Sequence, residues 1–201
     1  MTPYPKRLIE VDLPIARISA HARREKSIRH GHISTLHIWW ARRPLAACRA
    51  VICAALWPDP ADPNCPQAFR DAAAGQIMAF ARRADRDMKV LATSSEEGKA
   101  RWAALVKSPM SDSPTDETDL LTLRATLLDF IADFSNWDNS TSQPYLETCR
   151  ALTQAAHEAL GGEPGTRPLV VDPFAGGGSI PLEALRVGAD AFASDLNPVA
   201  V

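Results

Sequence analysis

An apolar triplet, three consecutive glycines and an acidic residue one short helix later constrain the backbone path of residues 169–195 more tightly than any other part of this chain. Leu169, Val170 and Val171 follow the breaker Pro168 and are too few for a helix, so they read as a buried parallel strand. Gly176, Gly177 and Gly178 let the backbone turn tightly and approach a ligand with no Cβ in the way. Ser179 is placed to cap a helix over residues 180–187. Pro181 is tolerated in the first turn of that helix because an N–H there has no intrahelical acceptor. Gly188 ends the helix, and a second strand, residues 191–194, delivers Asp195 at its carboxyl end. In open α/β sheets the ligand sits outside the carboxyl ends of the strands. An acidic residue roughly 20 positions past the glycine turn is placed there to accept ribose hydroxyls.

What is missing narrows the ligand. A dinucleotide fingerprint would need glycine at positions 176, 178 and 181, and position 181 is Pro181. No Gly-Lys-Ser/Thr follows the turn, which argues against a triphosphate-cradling loop. The remaining expectation is an adenosine-type cofactor with a ribose and no pyrophosphate.

The string Asp172-Pro173-Phe174-Ala175-Gly176-Gly177-Gly178-Ser179 resembles the first motif of S-adenosylmethionine-dependent methyltransferases that act on amino groups of DNA bases. Asp195-Leu196-Asn197-Pro198 is similar to their second motif. Lys6-Arg7-Leu8-Ile9-Glu10 and the block from Ser27 through His30, His32, His37, Trp39, Trp40, Arg42 and Arg43 to Ala47 resemble the N-terminal domain, of unknown function, of a bacterial and archaeal family of adenine-specific DNA methylases. Together the resembling stretches cover the first ~60 and last ~35 residues, by motif comparison.

The resemblance implies that S-adenosylmethionine is the cofactor. Asp172, Pro173, Phe174, Ala175, Gly176, Gly177 and Gly178 would form the turn around its amino-acid portion. Asp195 would hold the ribose, with Asn197 in the same motif. A segment upstream of the first strand packs on the methionine end in such enzymes. The block from His37 to Ala47 occupies that order here, so Arg42 or Arg43 would meet the cofactor carboxylate with a bidentate guanidinium. The alternative is that both arginines are solvated charges ahead of a helix.

One departure bears on activity. Base-amine methyltransferases carry Asp or Asn followed by Pro-Pro and an aromatic residue, which binds the target amine and stacks on the flipped base. No such string occurs in this sequence, and Asn197-Pro198-Val199 lacks the second proline and the aromatic ring. No catalytic residue is therefore assigned. The chain reads as the N-terminal portion of a larger enzyme, inactive alone, with a second chain or a C-terminal segment supplying the catalytic motif.

The 201 residues suffice for one or two domains, and a hydrophobic content of 46% argues against disorder. No run approaches the roughly 18 apolar residues of a membrane span. No apolar signal segment follows the N-terminus. The expectation is a cytoplasmic protein without a membrane partner. Cys48, Cys53, Cys65 and Cys149 lack the paired spacing of a zinc ribbon and read as buried thiols in a reducing compartment. Without a secretory signal, the sequon Asn139-Ser140-Thr141 reads as chance.

The net charge of −2 hides a lopsided distribution: residues 1–50 carry a balance of +7 and the remainder −9. Arg17, Arg23, Arg24, Lys26, Arg29, Arg42, Arg43 and Arg49 are interleaved with Trp39, Trp40 and four histidines. Such a mixture can neutralise phosphates and stack on bases. Arg24, Arg29, Trp40 and Arg42 are the candidate DNA contacts. The competing reading is a solvated helix face with two core tryptophans. His30, His32 and His37 lack a fourth ligand nearby, so a structural role is expected and no metal site.

Elsewhere the periodicity predicts helices. Residues 45–57 are apolar nearly all round with Arg49 the only charge, which predicts burial. Phe69, Ala73, Ile77 and Phe80 recur at helical spacing ahead of a charged run at 82–87. A shorter helix is expected over 97–107, then a polar linker over 108–119 with no reason to pack. Leu120, Leu123, Leu127, Ile131 and Phe134 line one further helix. Leu146, Cys149, Leu152, Ala156 and Leu160 line another, stopped by Gly161-Gly162. His157 sits near the end of that helix, where the dipole favours an imidazole. Trp137, in a loop, is expected to anchor the core.

The predicted fold is therefore α/β: a mostly helical N-terminal region, then the first β-α-β unit of an incomplete, Rossmann-like, doubly wound methyltransferase sheet. It divides into a basic segment at 1–60, a helical insertion or cap at 61–162 and the start of the cofactor domain at 168–201. The expected function is the cofactor-binding portion of a DNA adenine-amino methyltransferase in restriction-modification or phage defence. The alternative is a noncatalytic nucleic-acid-binding subunit or relic. Methylation of RNA or protein amines is a third option, because the two motifs report cofactor and not substrate.

Overall fold

A computed structural model describes residues 4–27 and 43–197. Over these residues it is a mixed α/β structure, mostly helical with one small parallel sheet. The helices are α1 (Leu8–Val11), α2 (Ile15–Ser27), α3 (Leu45–Leu56), α4 (Gln67–Ala84), α5 (Met88–Thr93), α6 (Glu96–Lys107), α7 (Glu117–Phe134) and α8 (Gln143–Ala159). Then come β1 (Leu169–Asp172), α9 (Ser179–Arg186) and β2 (Asp190–Ala193). Among the described residues no helix is long and apolar enough to cross a membrane.

The helix boundaries follow local chemistry. Proline precedes α3 and α4, where its fixed φ suits the entry and its missing N–H is not needed. Asp87, Ser95 and Asp116 cap α5, α6 and α7 by accepting backbone N–H groups. Past the end of α8, Gly161 takes a positive φ of 95°, a conformation glycine adopts without a Cβ penalty.

One apolar core runs from Leu8 to Ala189. Its centre is aromatic. Phe80 meets Trp102 and Phe130 edge-to-face, and Tyr145 stacks on Phe134. Tyr145 donates to or accepts from Ser94 at 3.0 Å, so its hydroxyl is satisfied inside the core. Arg49 is buried, as the apolar surroundings of its helix predict.

Several expectations are corrected. The 108–119 linker does pack: Met110 enters the core, Pro114 is buried, and the segment's last residues already belong to α7. A helix, α5, follows the charged run at 82–87, over residues for which no element was read. Trp137 opens a 3-10 turn and is half-buried. Ser179 does not cap α9. The cap position falls to Gly178 at φ 71°, no side chain serves there, and Ser179 is the buried first helical residue. Strand β1 is not buried on both faces: Leu169 and Val171 remain exposed, and among the described residues β1 pairs with β2 alone.

Strands β1 and β2 pair in parallel, with Val170 opposite Ala191 and Asp172 opposite Ala193. The side chains of Val170 and Ala191 turn to the core, and Leu169, Val171 and Phe192 turn away from it. Helix α9 connects the two strands and lies on α3, with Ala184, Val187 and Ala189 fully buried.

Candidate functional site

The site lies where the carboxyl ends of β1 and β2 meet the glycine turn. Asp172, the last residue of β1, accepts the Phe174 N–H at 3.2 Å and so starts the turn with a side-chain bond. The Ala175 N–H donates to the Ser194 carbonyl at 3.0 Å, and the Ser194 N–H to the Asp172 carbonyl at 3.0 Å, which laces the turn to the end of β2. The Ser194 hydroxyl reaches the Pro173 carbonyl at 3.4 Å. Gly176 and Gly178 adopt φ of 51° and 71°, the left-handed region where glycine carries no steric penalty.

Asp195 closes this frame. Its Oδ2 accepts the Gly176 N–H at 2.8 Å and its Oδ1 the Asn197 N–H at 2.9 Å. The bond from Asn197, then that from Gly176, holds the Asp195 carboxyl below the usual carboxylate range. It stays anionic, and each oxygen retains a second lone pair for a ligand hydroxyl. The strand ends thus bring Asp172, Asp195 and the glycine turn together, as the spacing predicts. Phe174 and Leu196 are both exposed beside them.

A cleft of about 350 Å3 adjoins the first turn of α9. Ala47, Cys48, Val51 and Ile52 of α3 form one wall, Ile180 of α9 lines the other side, and Arg43 and Pro44 complete the lining. Burial pushes the Cys48 thiol up to about 12, so this wall is neutral. Arg43 is exposed and makes no hydrogen bond or ion pair to another described residue. Nothing in the spacing of the sequence flags Val51, Ile52 or Ile180 as a lining, because the wall forms only when α9 folds back on α3.

Three of the charges read as a surface are paired with other residues of the chain. Arg17 bonds Asp129 at 2.5 Å and Asp133 at 2.9 Å. Arg24 bonds Asp138 at 2.8 Å and the Asn136 side chain at 3.1 Å. Arg49 forks onto Glu183 inside the core. Arg23, Lys26 and Arg43 remain exposed. Arg29, Trp40 and Arg42 lie outside the described residues, as do His30, His32, His37 and Trp39. Among the described residues no cluster of three His, Cys, Asp or Glu side chains has a metal-binding arrangement.

Residues 12–80 match the model of a family described as a protein of unknown function, DUF1156. No curated protein and no solved structure matches this chain. The matched segment spans α2 and α3 and most of α4, and includes the α3 wall of the cleft together with Arg43 and Arg49.

Proposed function

We propose that this chain is the cofactor-binding, N-terminal portion of an S-adenosylmethionine-dependent methyltransferase acting on the amino group of adenine in DNA, in restriction-modification or phage defence. The observation that carries the reading is the bond from Gly176 to Asp195. It joins a left-handed glycine turn to an anionic carboxylate at the ends of two parallel strands connected by a helix, the arrangement expected of the first unit of a doubly wound sheet.

The residues present fit the cofactor. An ideal Cβ built on Gly178 meets nothing within 4 Å, which leaves room for a ligand over the turn. Asp195 would accept the ribose hydroxyls through its remaining lone pairs, with Asn197 held beside it. The backbone from Asp172, Pro173, Phe174 and Ala175 through Gly176, Gly177 and Gly178 would surround the amino-acid portion. Arg43, at the mouth of the cleft, would pair with the carboxylate. When bound, S-adenosylmethionine supplies an electrophilic methyl group, and this chain's residues contribute position, which governs in-line transfer.

DNA and a second chain or C-terminal segment are the proposed partners. Parallel sheets are stable when both faces are covered, and two strands alone are marginal in water. Leu169, Val171 and Phe192 form the uncovered face here. The added segment would extend the sheet and bring the Asp/Asn-Pro-Pro-aromatic string.

Calorimetric titration of the full chain with S-adenosylmethionine tests the proposal. Asp195→Ala should weaken binding roughly tenfold through loss of a hydrogen-bonded acceptor. Unchanged affinity would sink the ribose assignment. Salt-steep DNA binding by a chain that ignores the cofactor would favour a noncatalytic nucleic-acid-binding module.

A further inference from the structure

We infer that the buried Arg49–Glu183 pair is the positioning device that seats the glycine turn against the helical body, an inference that rests on the reading of that turn as the cofactor site. The Arg49 and Glu183 side chains are 1% and 0% exposed. Arg49 Nε donates to Glu183 Oε2 at 2.6 Å and Nη2 to Oε1 at 3.3 Å, a fork with one geometry. The third nitrogen, Nη1, donates to the carbonyls of Phe134 and Asn136, and the guanidinium lies 4.8 Å from the centre of the Phe134 ring. Glu183 Oε1 also accepts from Arg186 Nε at 3.0 Å, and Arg186 Nη1 donates to the Ser140 carbonyl at 2.6 Å. Helix α3, helix α9 and the corner after α7 therefore meet at one satisfied polar network.

A buried ion pair is weak as a stabiliser, because desolvation offsets much of its attraction and apolar residues of similar volume serve as well. Its distinctive contribution is direction. Helix α9 has eight residues, and the fully buried apolar side chains beneath the unit, Ala184, Val187 and Ala189, are short and present no long side chain to fix its register. The fork admits one rotation and one axial position of α9 on α3. Glu183 lies one turn beyond Ser179, the residue that follows Gly178, so a slip of α9 would carry the turn with it. Ala47, Cys48 and Val51, on the same helix as Arg49, form a wall of the cleft, so the pair also fixes the cleft's width. This gives the DUF1156-matched segment a role in this chain: its Arg49 sets the seat on which the β-α-β unit rests.

The test is hydrogen exchange on the ligand-free full chain, combined with a thermal melt and a cofactor titration. Arg49→Met with Glu183→Met should keep the melting temperature. It should speed exchange of the Gly178 and Leu182 amides roughly tenfold relative to amides of α4 and α8, the size of coupling within one network. S-adenosylmethionine affinity should fall by a similar factor. Unchanged exchange at Gly178 and Leu182 in the folded double variant overturns the inference. If that variant does not fold, Arg49→Lys, which keeps the charge and loses the fork, is held to the same exchange criterion. Faster exchange in a chain whose native form ignores the cofactor leaves the positioning role standing and removes the cofactor reading.

Discussion

In the helical body every aromatic ring of α4, α6, α7 and α8 is sealed from water, whereas in the β-α-β unit Phe174 is 71% and Phe192 56% exposed. The difference is one of architecture, since both regions are rich in apolar residues. Helices α3, α4, α6, α7 and α8 enclose a shared aromatic core. A parallel sheet is stable with cover on both faces, and among the described residues the side carrying Val170 and Ala191 is the one covered, by α9 and the body beneath. The body closes its core on all sides, and the unit leaves one face of its sheet exposed by comparison.

The contrast can be broken most directly where the burial differs most. Phe130→Ala should cost about 3–5 kcal/mol in urea unfolding, because its ring contacts Trp57, Phe80, Phe134 and Tyr145. Phe192→Ala should stay within about 0.5 kcal/mol of the native chain. Equal losses would mean that the sheet's outer face is already covered. Arg49→Ala should rank next, at about 3 kcal/mol by the same unfolding assay, since it strips Glu183 of its fork and leaves Arg186 as the remaining partner.

Two glycines sharpen the comparison at lower cost. A Cβ on Gly98, in α6, would lie 2.0 Å from Asp133 Oδ2, and Asp133 is held in place by Arg17 and the Ser95 N–H. Gly98→Ala should therefore lose about 1–3 kcal/mol despite alanine's better helix propensity. Gly178→Ala meets open space and should lose about 1–2 kcal/mol from its left-handed φ alone. A variant series in which Gly178→Ala is neutral would remove the turn's conformational constraint.

The smallest effect is a pH dependence. Burial holds His21 below the ordinary value of 6.5, opposed by Asp133 and assisted by Arg17 and Arg24, with Asp138 also facing it. The folded state favours neutral His21, so its contribution is complete above pH 6.5 and is lost as the pH falls through the lowered folded value. Burial raises Asp133 above 3.8, which acts in the opposite direction: stability from that carboxyl grows as the pH falls toward 3.8. His21→Gln should flatten the loss just below pH 6.5 in a melting series and leave the lower window unchanged.

Local rules made most of the architecture legible. The apolar spacing along α4, α7 and α8 marks their buried faces, and the order strand, glycine turn, helix, acidic residue marks the β-α-β unit. Arg49 in an apolar helix signals a buried partner, because an unpaired charge there is prohibitive. Its partner, Glu183, is far away in sequence, and no periodicity names it. The basic first fifty residues and the acidic remainder were legible as a sum, but not as the pairs Arg17 with Asp129 and Arg24 with Asp138 that join the two. Helix α2 is missed by apolar patterning for the same reason. Of its side chains only Ile18 and Glu25 are buried, and it is held by polar contacts to α7, the following corner and α3. The packing of Met110 within a proline-containing stretch likewise depends on what lies opposite it.

Glu25 joins α2 to α3 through two backbone N–H groups, Leu45 and Ala46, each at 3.0 Å. A single carboxylate thereby satisfies the open end of one helix and brings together two points twenty residues apart along the chain. Removing that carboxylate would therefore uncover two N–H groups at the start of α3 and release its hold on α2 in a single step.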